Sequence, residues 1–370
     1  MANLKATVCG LHFKNPVMPA AGPPGWNGEA LERCAQGGAG ALVSKTISVE
    51  EARVPTPNMA AVWGGAFLNA ERWSEIPPRQ WVLREYAIAR ATGLPLIVSL
   101  GYSAEDVATL APLVRPFADA LELSTHYTGD DPQPMMEAIR VAREAVDVPV
   151  LVKLSPFRDV QAAARAAQQA GAHGIVAINS FGPTMAIDVE TGAPLMGSES
   201  GYGWLSGPAI RPLAVRCIFD IARAVDLPIL GVGGVSRGVD AIELMMAGAS
   251  AVQVCTAAIL HGPGIYGRIA AEIEGWLDEH GYAAIDDVRG LAIARWRQHR
   301  TCYEQVPPAH DAGKCIGCGR CEQVCAYLAV HVEDNKAVLH QERCHGCGLC
   351  ATRCPTRALT MPYGEGWPTP

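Results

Sequence analysis

Val150-Leu151-Val152-Lys153-Leu154 is an apolar run broken only by one lysine, and Gly174-Ile175-Val176-Ala177-Ile178 is a second. Between them, residues 160–170 are rich in alanine and glutamine and long enough for a helix. Neither run alternates apolar with polar, so both faces of each strand should be buried, as in a parallel sheet. Strand, helix, strand is the unit that lays two parallel strands side by side.

The same pattern extends in both directions. Further apolar runs stand at 17–20, 41–44, 96–100, 120–123, 229–232 and 251–254, which makes eight. Helical stretches such as 135–146 separate most of them. Asp131-Pro132 opens that stretch with a capping carboxylate and a first-turn proline. Eight such units predict an α/β fold, a (β/α)8 barrel over residues 1–290, longer than the roughly 250 residues typical of the class. The excess falls in two gaps. Residues 44–96 carry Trp63, Trp73 and Trp81, and residues 178–229 carry the glycine- and serine-rich 197–207. Both gaps follow strand carboxyl ends, where barrel enzymes keep their active-site loops. The most apolar window, 241–260, has Glu243 as its only charge and reads as a helix ending near Gly248, then the strand 251–254, rather than a membrane span. No apolar signal core follows Met1, so a cytoplasmic protein is expected.

Of 370 residues, 49% are hydrophobic and 18% charged, which excludes wholesale disorder. The net charge of −7 argues against a nucleic-acid surface. Beyond the barrel, residues 291–312 read as a basic connecting helix and a linker marked by Pro307-Pro308. Residues 313–361 form a compact second module of α+β type, and 362–370 a tail.

Eight of the thirteen cysteines lie in that module, as Cys315-x-x-Cys318-x-x-Cys321-x-x-x-Cys325 and Cys344-x-x-Cys347-x-x-Cys350-x-x-x-Cys354-Pro355. This is the two-cluster run of bacterial ferredoxins, in which the fourth cysteine serves the other cluster. Cys315, Cys318, Cys321 and Cys354 are therefore expected on one 4Fe–4S centre, and Cys344, Cys347, Cys350 and Cys325 on the second. Gly319 and Gly348 follow the second cysteine of each run; Ala326 replaces the usual proline after Cys325. Structural zinc is the competing reading, but zinc sites favour paired C-x-x-C. Clusters only carry electrons, so the barrel must supply the chemistry that uses them.

Several barrel segments now point one way: Gly10-Leu11-His12-Phe13-Lys14-Asn15-Pro16 before Ala20-Ala21-Gly22, Ser44-Lys45-Thr46, Val152-Lys153-Leu154-Ser155-Pro156 and Ile178-Asn179-Ser180. Leu205-Ser206-Gly207-Pro208, Gly231-Val232-Gly233-Gly234 and Val252-Gln253-Val254-Cys255-Thr256 follow in order. Together they resemble the FMN barrels of dihydroorotate and dihydropyrimidine dehydrogenases; the latter also place a two-cluster ferredoxin unit after the barrel. The resemblance implies FMN held by Ala20, Ala21, Gly22, Lys45, Thr46, Lys153, Asn179, Ser206, Gly207, Gly233, Gly234, Cys255 and Thr256. The physics agrees: the phosphate wants backbone amides without side chains in the way, as at Gly207, Gly233-Gly234 and Cys255-Thr256. The ring wants a cation, and Lys45 and Lys153 end strands. Asn69, Asn179 and Ser180 match positions that contact a pyrimidine in those families.

One segment departs. Where the resembled families carry an Asn-x-Ser-Cys-Pro-type sequence, this chain reads Ser124-Thr125-His126-Tyr127-Thr128. Ser124 replaces the asparagine and Tyr127 the proton-transferring cysteine. Reduction of an activated C=C needs hydride on one carbon and a proton donor at the other. Tyr127 and His126 are the candidates, with a donor in the 46–95 insertion as the remaining option. Tyr202, Trp204 and Trp63 are candidates to line an aromatic pocket.

The expected function is an FMN- and iron–sulfur-dependent oxidoreductase acting on a CH–CH or C=C bond conjugated to a carbonyl in a small cyclic substrate. No FAD or nicotinamide site is visible. The expected redox partner is an NAD(P)H-oxidising flavoprotein subunit or a soluble ferredoxin, with neither nucleic acid nor membrane as partner. Related barrels commonly dimerise, so a homo-oligomer is compatible with the resemblance. An electron-transfer subunit without its own substrate is the alternative, and dihydrouridine synthase-like RNA modification a more distant one.

Overall fold

The structure is a computed structural model, described here for all residues except 102, 125–130, 157–158, 299–300, 302 and 362–370. Eight strands form its centre: β1 (Val17–Pro19), β2 (Leu42–Val43), β3 (Leu96–Leu100), β4 (Ala120–Leu123), β5 (Val150–Leu154), β6 (Gly174–Ala177), β7 (Ile229–Val232) and β8 (Ala251–Val254). They pair in parallel in chain order from β2 to β8, and β8 then pairs with β1. The Gly40 N–H donates to Val17 O at 2.7 Å, joining β1 to the segment that enters β2. Every residue of the eight strands is buried, as runs without alternation require when helices cover the outside and side chains fill the inside.

Local sequence explains the helices. Asn27 caps Gly28–Gln36, and Ser103 with Asp106 forms a capping box on Ala104–Val114. The helix expected at 135–146 runs Gln133–Ala145; Asp131 Oδ1 accepts from Gln133 N–H at 3.0 Å beside Pro132. Asp159 caps Val160–Gln169. The apolar window divides as expected, into helix Gly238–Met246 and strand β8, with Gly248 at φ +127° between them. Among the described residues no helix is long and apolar enough to cross a membrane.

The two long gaps meet each other, which the sequence did not reveal. Phe67–Asn69 from the first pairs antiparallel with Gly203–Ser206 from the second, and Met59–Ala61 and Phe181–Thr184 flank them as the outer strands of one four-stranded antiparallel sheet. Trp204 stands opposite Asn69, Leu205 opposite Leu68 and Ser206 opposite Phe67. Leu68, Ala70 and Met196 give this sheet its own small core.

The chain divides into two units, Met1–Ile293 and Ala294–Pro370. Helix Leu291–Gln298 contains the division. In the second unit the repeat is structural: short helices Arg320–Val324 and Leu349–Arg353 each start at a glycine in the left-handed region, Gly319 (φ +71°) and Gly348 (φ +77°). Hairpin Val330–Glu333/Lys336–Leu339 lies between them, and Ala309–His310 pairs with Leu359–Thr360.

Candidate functional site

A cavity of about 1350 Å³ is walled by the residues that follow the carboxyl ends of the barrel strands. Ordinary small-ligand sites span roughly 300–1,000 Å³, so this one has room for a cofactor and a second molecule. All the residues singled out above for the flavin border it: Ala20, Ala21 and Gly22 after β1, Lys45 and Thr46 after β2, Lys153 in β5, and Asn179 after β6. Ser206 ends a strand of the added sheet and Gly207 follows it, Gly233 and Gly234 follow β7, and Cys255 and Thr256 follow β8. Asn69, Ser124 and Ser180 border the same cavity. Tyr127 and His126 lie outside the described residues. Tyr202, Trp204 and Trp73 are in the wall; Trp63 is not, and is 66% exposed.

One side of the cavity is built from bare backbone. Gly207 sits at φ +79°, and a Cβ there would stand 2.7 Å from Gly65 O and 3.1 Å from Thr256 Cγ2. Gly234 sits at φ +78°, where a Cβ would meet Arg211 Cβ at 2.6 Å. Neither position admits a side chain. The turn after Gly234 is fixed by buried Asp240, whose Oδ2 accepts from Ser236 N–H, Ser236 Oγ and Arg237 N–H, while Arg211 Nη1 donates to Oδ1 at 2.7 Å. Ser206 Oγ and Thr256 Oγ1 are 2.8 Å apart. Burial pushes the Cys255 thiol up to about 11, so it is neutral at physiological pH.

The other side carries charge. Lys45 is almost fully buried, and its Nζ reaches Glu71 Oε2 at 2.7 Å and Glu75 Oε2 at 2.6 Å. Asn58 Nδ2 donates to the second oxygen of Glu71. Lys153 alternates with Val152 and Leu154 along β5, so it faces inward where they pack outward. Its Nζ stands 3.7 Å from Glu122 Oε1 of β4, and Gln253 Nε2 of β8 donates to Glu122 Oε2 at 2.7 Å. Asn69 Nδ2 donates to Trp204 O at 3.1 Å, and Ser180 N–H to Asn179 Oδ1 at 2.9 Å. Thr46 Oγ1 is spent on Ser99 Oγ at 2.8 Å.

Glu71, Glu75, Glu122 and Gln253 were not singled out from sequence. A signal existed for two of them. Glu122 sits between Leu121 and Leu123, and Gln253 between Val252 and Val254, in runs read as buried on both faces. A carboxylate and an amide at such positions need partners inside the barrel.

The second unit carries the cysteines. Cys315, Cys318, Cys321 and Cys354 wall one small cavity, the set expected from the spacing. Cys325 and Cys350 pack against the same core. Ala329 N–H donates to Cys325 Sγ and Ala358 N–H to Cys354 Sγ, each at 3.2 Å. Gly317 must be glycine, since a Cβ would lie 2.6 Å from Asn335 O. A Cβ at Gly319 would meet nothing within 4 Å, so its left-handed φ is the constraint there.

Comparison with known proteins agrees with this anatomy. Residues 3–277 match the family model described as dihydroorotate dehydrogenase, and residues 309–361 match the 4Fe-4S dicluster domain. Similar proteins include the dihydroorotate dehydrogenase B (NAD(+)) catalytic subunits of three organisms. That of Methanothermobacter thermautotrophicus is 37% identical over 302 residues, 78% of this chain and 98% of the relative. That of Methanosarcina acetivorans is 40% identical over 299 residues (76% and 94%), and that of Geobacter sulfurreducens 35% over 302 (78% and 97%). Family members hold FMN in the barrel, and a dicluster domain holds two 4Fe–4S clusters; the side-chain-free cradle, the inward lysines and the four-cysteine cavity fit both groups. The chain thus belongs to the dihydroorotate dehydrogenase family, with a dicluster iron–sulfur domain at its carboxyl end, and is an FMN-containing oxidoreductase acting on CH–CH groups.

Proposed function

We propose that this chain interconverts a C=C bond conjugated to a carbonyl and its CH–CH form in a small ring, with electrons passing between FMN, its two clusters and a separate redox partner. The observation that carries this reading is the single cavity shared by the flavin candidates and by Asn69, Ser124, Asn179 and Ser180. Bound FMN supplies two-electron hydride chemistry there. Gly207, Gly233, Gly234 and Thr256 would receive its phosphate, and Lys153 its electron-rich ring edge, while Lys45, held by Glu71 and Glu75, would line the same cavity as a neutralised group. Asn69, held on the added sheet by Trp204 O, and Asn179 would orient the ring amides of a substrate. Tyr127, or His126 beside it, would deliver the proton to the carbon that does not receive hydride.

The charge at Lys45 narrows the substrate class. Two carboxylates hold its ammonium, so a substrate carboxylate finds no free partner at that lysine. A neutral ring such as a uracil-type amide fits better than its carboxylated counterpart. The relatives' names specify NAD(+) and a catalytic subunit. In this chain the same division of labour would leave nicotinamide chemistry to a separate flavoprotein subunit in the cytoplasm, with a soluble ferredoxin as the alternative electron donor or acceptor.

The test is anaerobic. The loaded protein is reduced with dithionite, and flavin reoxidation is followed while uracil, thymine, orotate, cyclic enones and dihydroaromatic acids or thioesters are added. Rapid reoxidation by one ring class, lost in Tyr127→Phe or His126→Ala, is the expected result. Reoxidation by ferredoxin-like acceptors alone, unchanged in both variants, would make the chain an electron carrier.

A further inference from the structure

Glu122 has no exposed surface. A carboxylate removed from water persists only when charge and hydrogen bonds compensate it. Gln253 Nε2 satisfies one oxygen at 2.7 Å. Among the described residues the other oxygen, Oε1, has only Lys153 Nζ, at 3.7 Å, an ion-pair separation too long for a hydrogen bond. Glu122 Oε1 and Gln253 Oε1 are both buried without a hydrogen-bond donor among the described residues. Lys153 carries three donor protons and also borders the cavity. Its ammonium thus stands between a carboxylate it does not fully engage and the cavity assigned to the flavin.

This inference rests on the reading of Lys153 as a flavin contact. We propose that Glu122, held by Gln253, is a positioning residue that divides the charge of Lys153 between itself and the flavin, and thereby sets the flavin reduction potential. Reduction adds electrons to the bound ring. An uncompensated lysine beside the ring favours that state, and a carboxylate drawing on the same lysine opposes it. Gln253 decides the division: by fixing Oε2 it keeps the carboxylate from closing on Lys153.

The experiment is an anaerobic redox titration of the FMN- and cluster-loaded chain, with the flavin followed by absorbance and the clusters by electron paramagnetic resonance. Glu122→Gln keeps the shape and removes the charge. At a fixed solution potential it should raise the ratio of reduced to oxidised flavin about tenfold, which is about 30 mV upward for a two-electron couple. Gln253→Leu frees the carboxylate to engage Lys153 and should shift the flavin the opposite way. Cluster potentials should stay put in both variants. An unmoved flavin potential in Glu122→Gln, or shifts of the same sign in the two variants, overturns the proposal. If Glu122→Gln does not fold, the sign of the Gln253→Leu shift decides alone. Lys153→Met separates the two layers. If it leaves flavin content and potential unchanged, the flavin contact itself fails. If it moves the potential while Glu122→Gln does not, only the present inference falls.

Discussion

Glu71→Gln should change which ligands the cavity accepts. Lys45 Nζ lies 2.7 Å from Glu71 and 2.6 Å from Glu75, so a ligand carboxylate near Lys45 also lies near both glutamates. At roughly 5 Å, two like charges repel by about 3 kcal/mol at an effective dielectric of 20 and by less than about 1 kcal/mol in water. Glu71 is mostly buried and Glu75 nearly half exposed, so Glu71 dominates. An intermediate value of about 2 kcal/mol corresponds to roughly thirtyfold in affinity. Uracil and orotate differ by one carboxylate, so anaerobic titration of the oxidised holoprotein with each, read by flavin difference spectra, isolates this term. The wild type should prefer uracil. Glu71→Gln should narrow the preference by about ten- to thirtyfold, mainly through tighter orotate binding, and more so at low salt. A wild type that prefers orotate, or a preference unchanged by the substitution, would mean that Glu71 does not screen Lys45 from ligand carboxylates.

Gly207→Ala should lower FMN content, because the new Cβ meets Gly65 O and the φ of +79° is strained for alanine by about 1–3 kcal/mol; flavin released on denaturation measures it. Cys347→Ala should remove one cluster and leave the barrel flavin in place, so that iron and sulfide fall to roughly half while FMN stays constant. Glu85 gives a pH signature. Burial alone lifts its carboxyl, but Gln80, the Gly28 N–H and Arg84 outweigh burial and hold it below the ordinary carboxylate range. Its stabilising contribution is therefore present above the unfolded value of about 4.3 and lost as pH falls through the lower folded value. Melting temperature should drop on acidification through that window, and less steeply in Glu85→Gln.

The barrel was legible because its eight strands are buried on both faces and read as uninterrupted apolar runs. The iron–sulfur module was legible because its cysteine spacing is that of a two-cluster run, which the dicluster-domain match bears out. The added sheet was not. Its strands are three or four residues long, and they pair residues far apart in sequence, Trp204 with Asn69. Nothing local in either gap reveals the other as its partner. The charge network escaped for a similar reason. Lys45 was visible at a strand end, but its neutralisation by Glu71 and Glu75 depends on how the insertion folds back over it. Glu122 and Gln253 were visible as polar residues in apolar runs; that they meet across the barrel follows only from its closure.

One chain that stores electrons on FMN and two clusters should deliver them to an unsaturated ring. Fully reduced protein, freed of dithionite, would be mixed anaerobically with an excess of ring substrate and the dihydro product counted by mass spectrometry. Two electrons on the flavin and one on each cluster should yield about two equivalents of product per chain. No product, with the chain still reduced, would contradict the account.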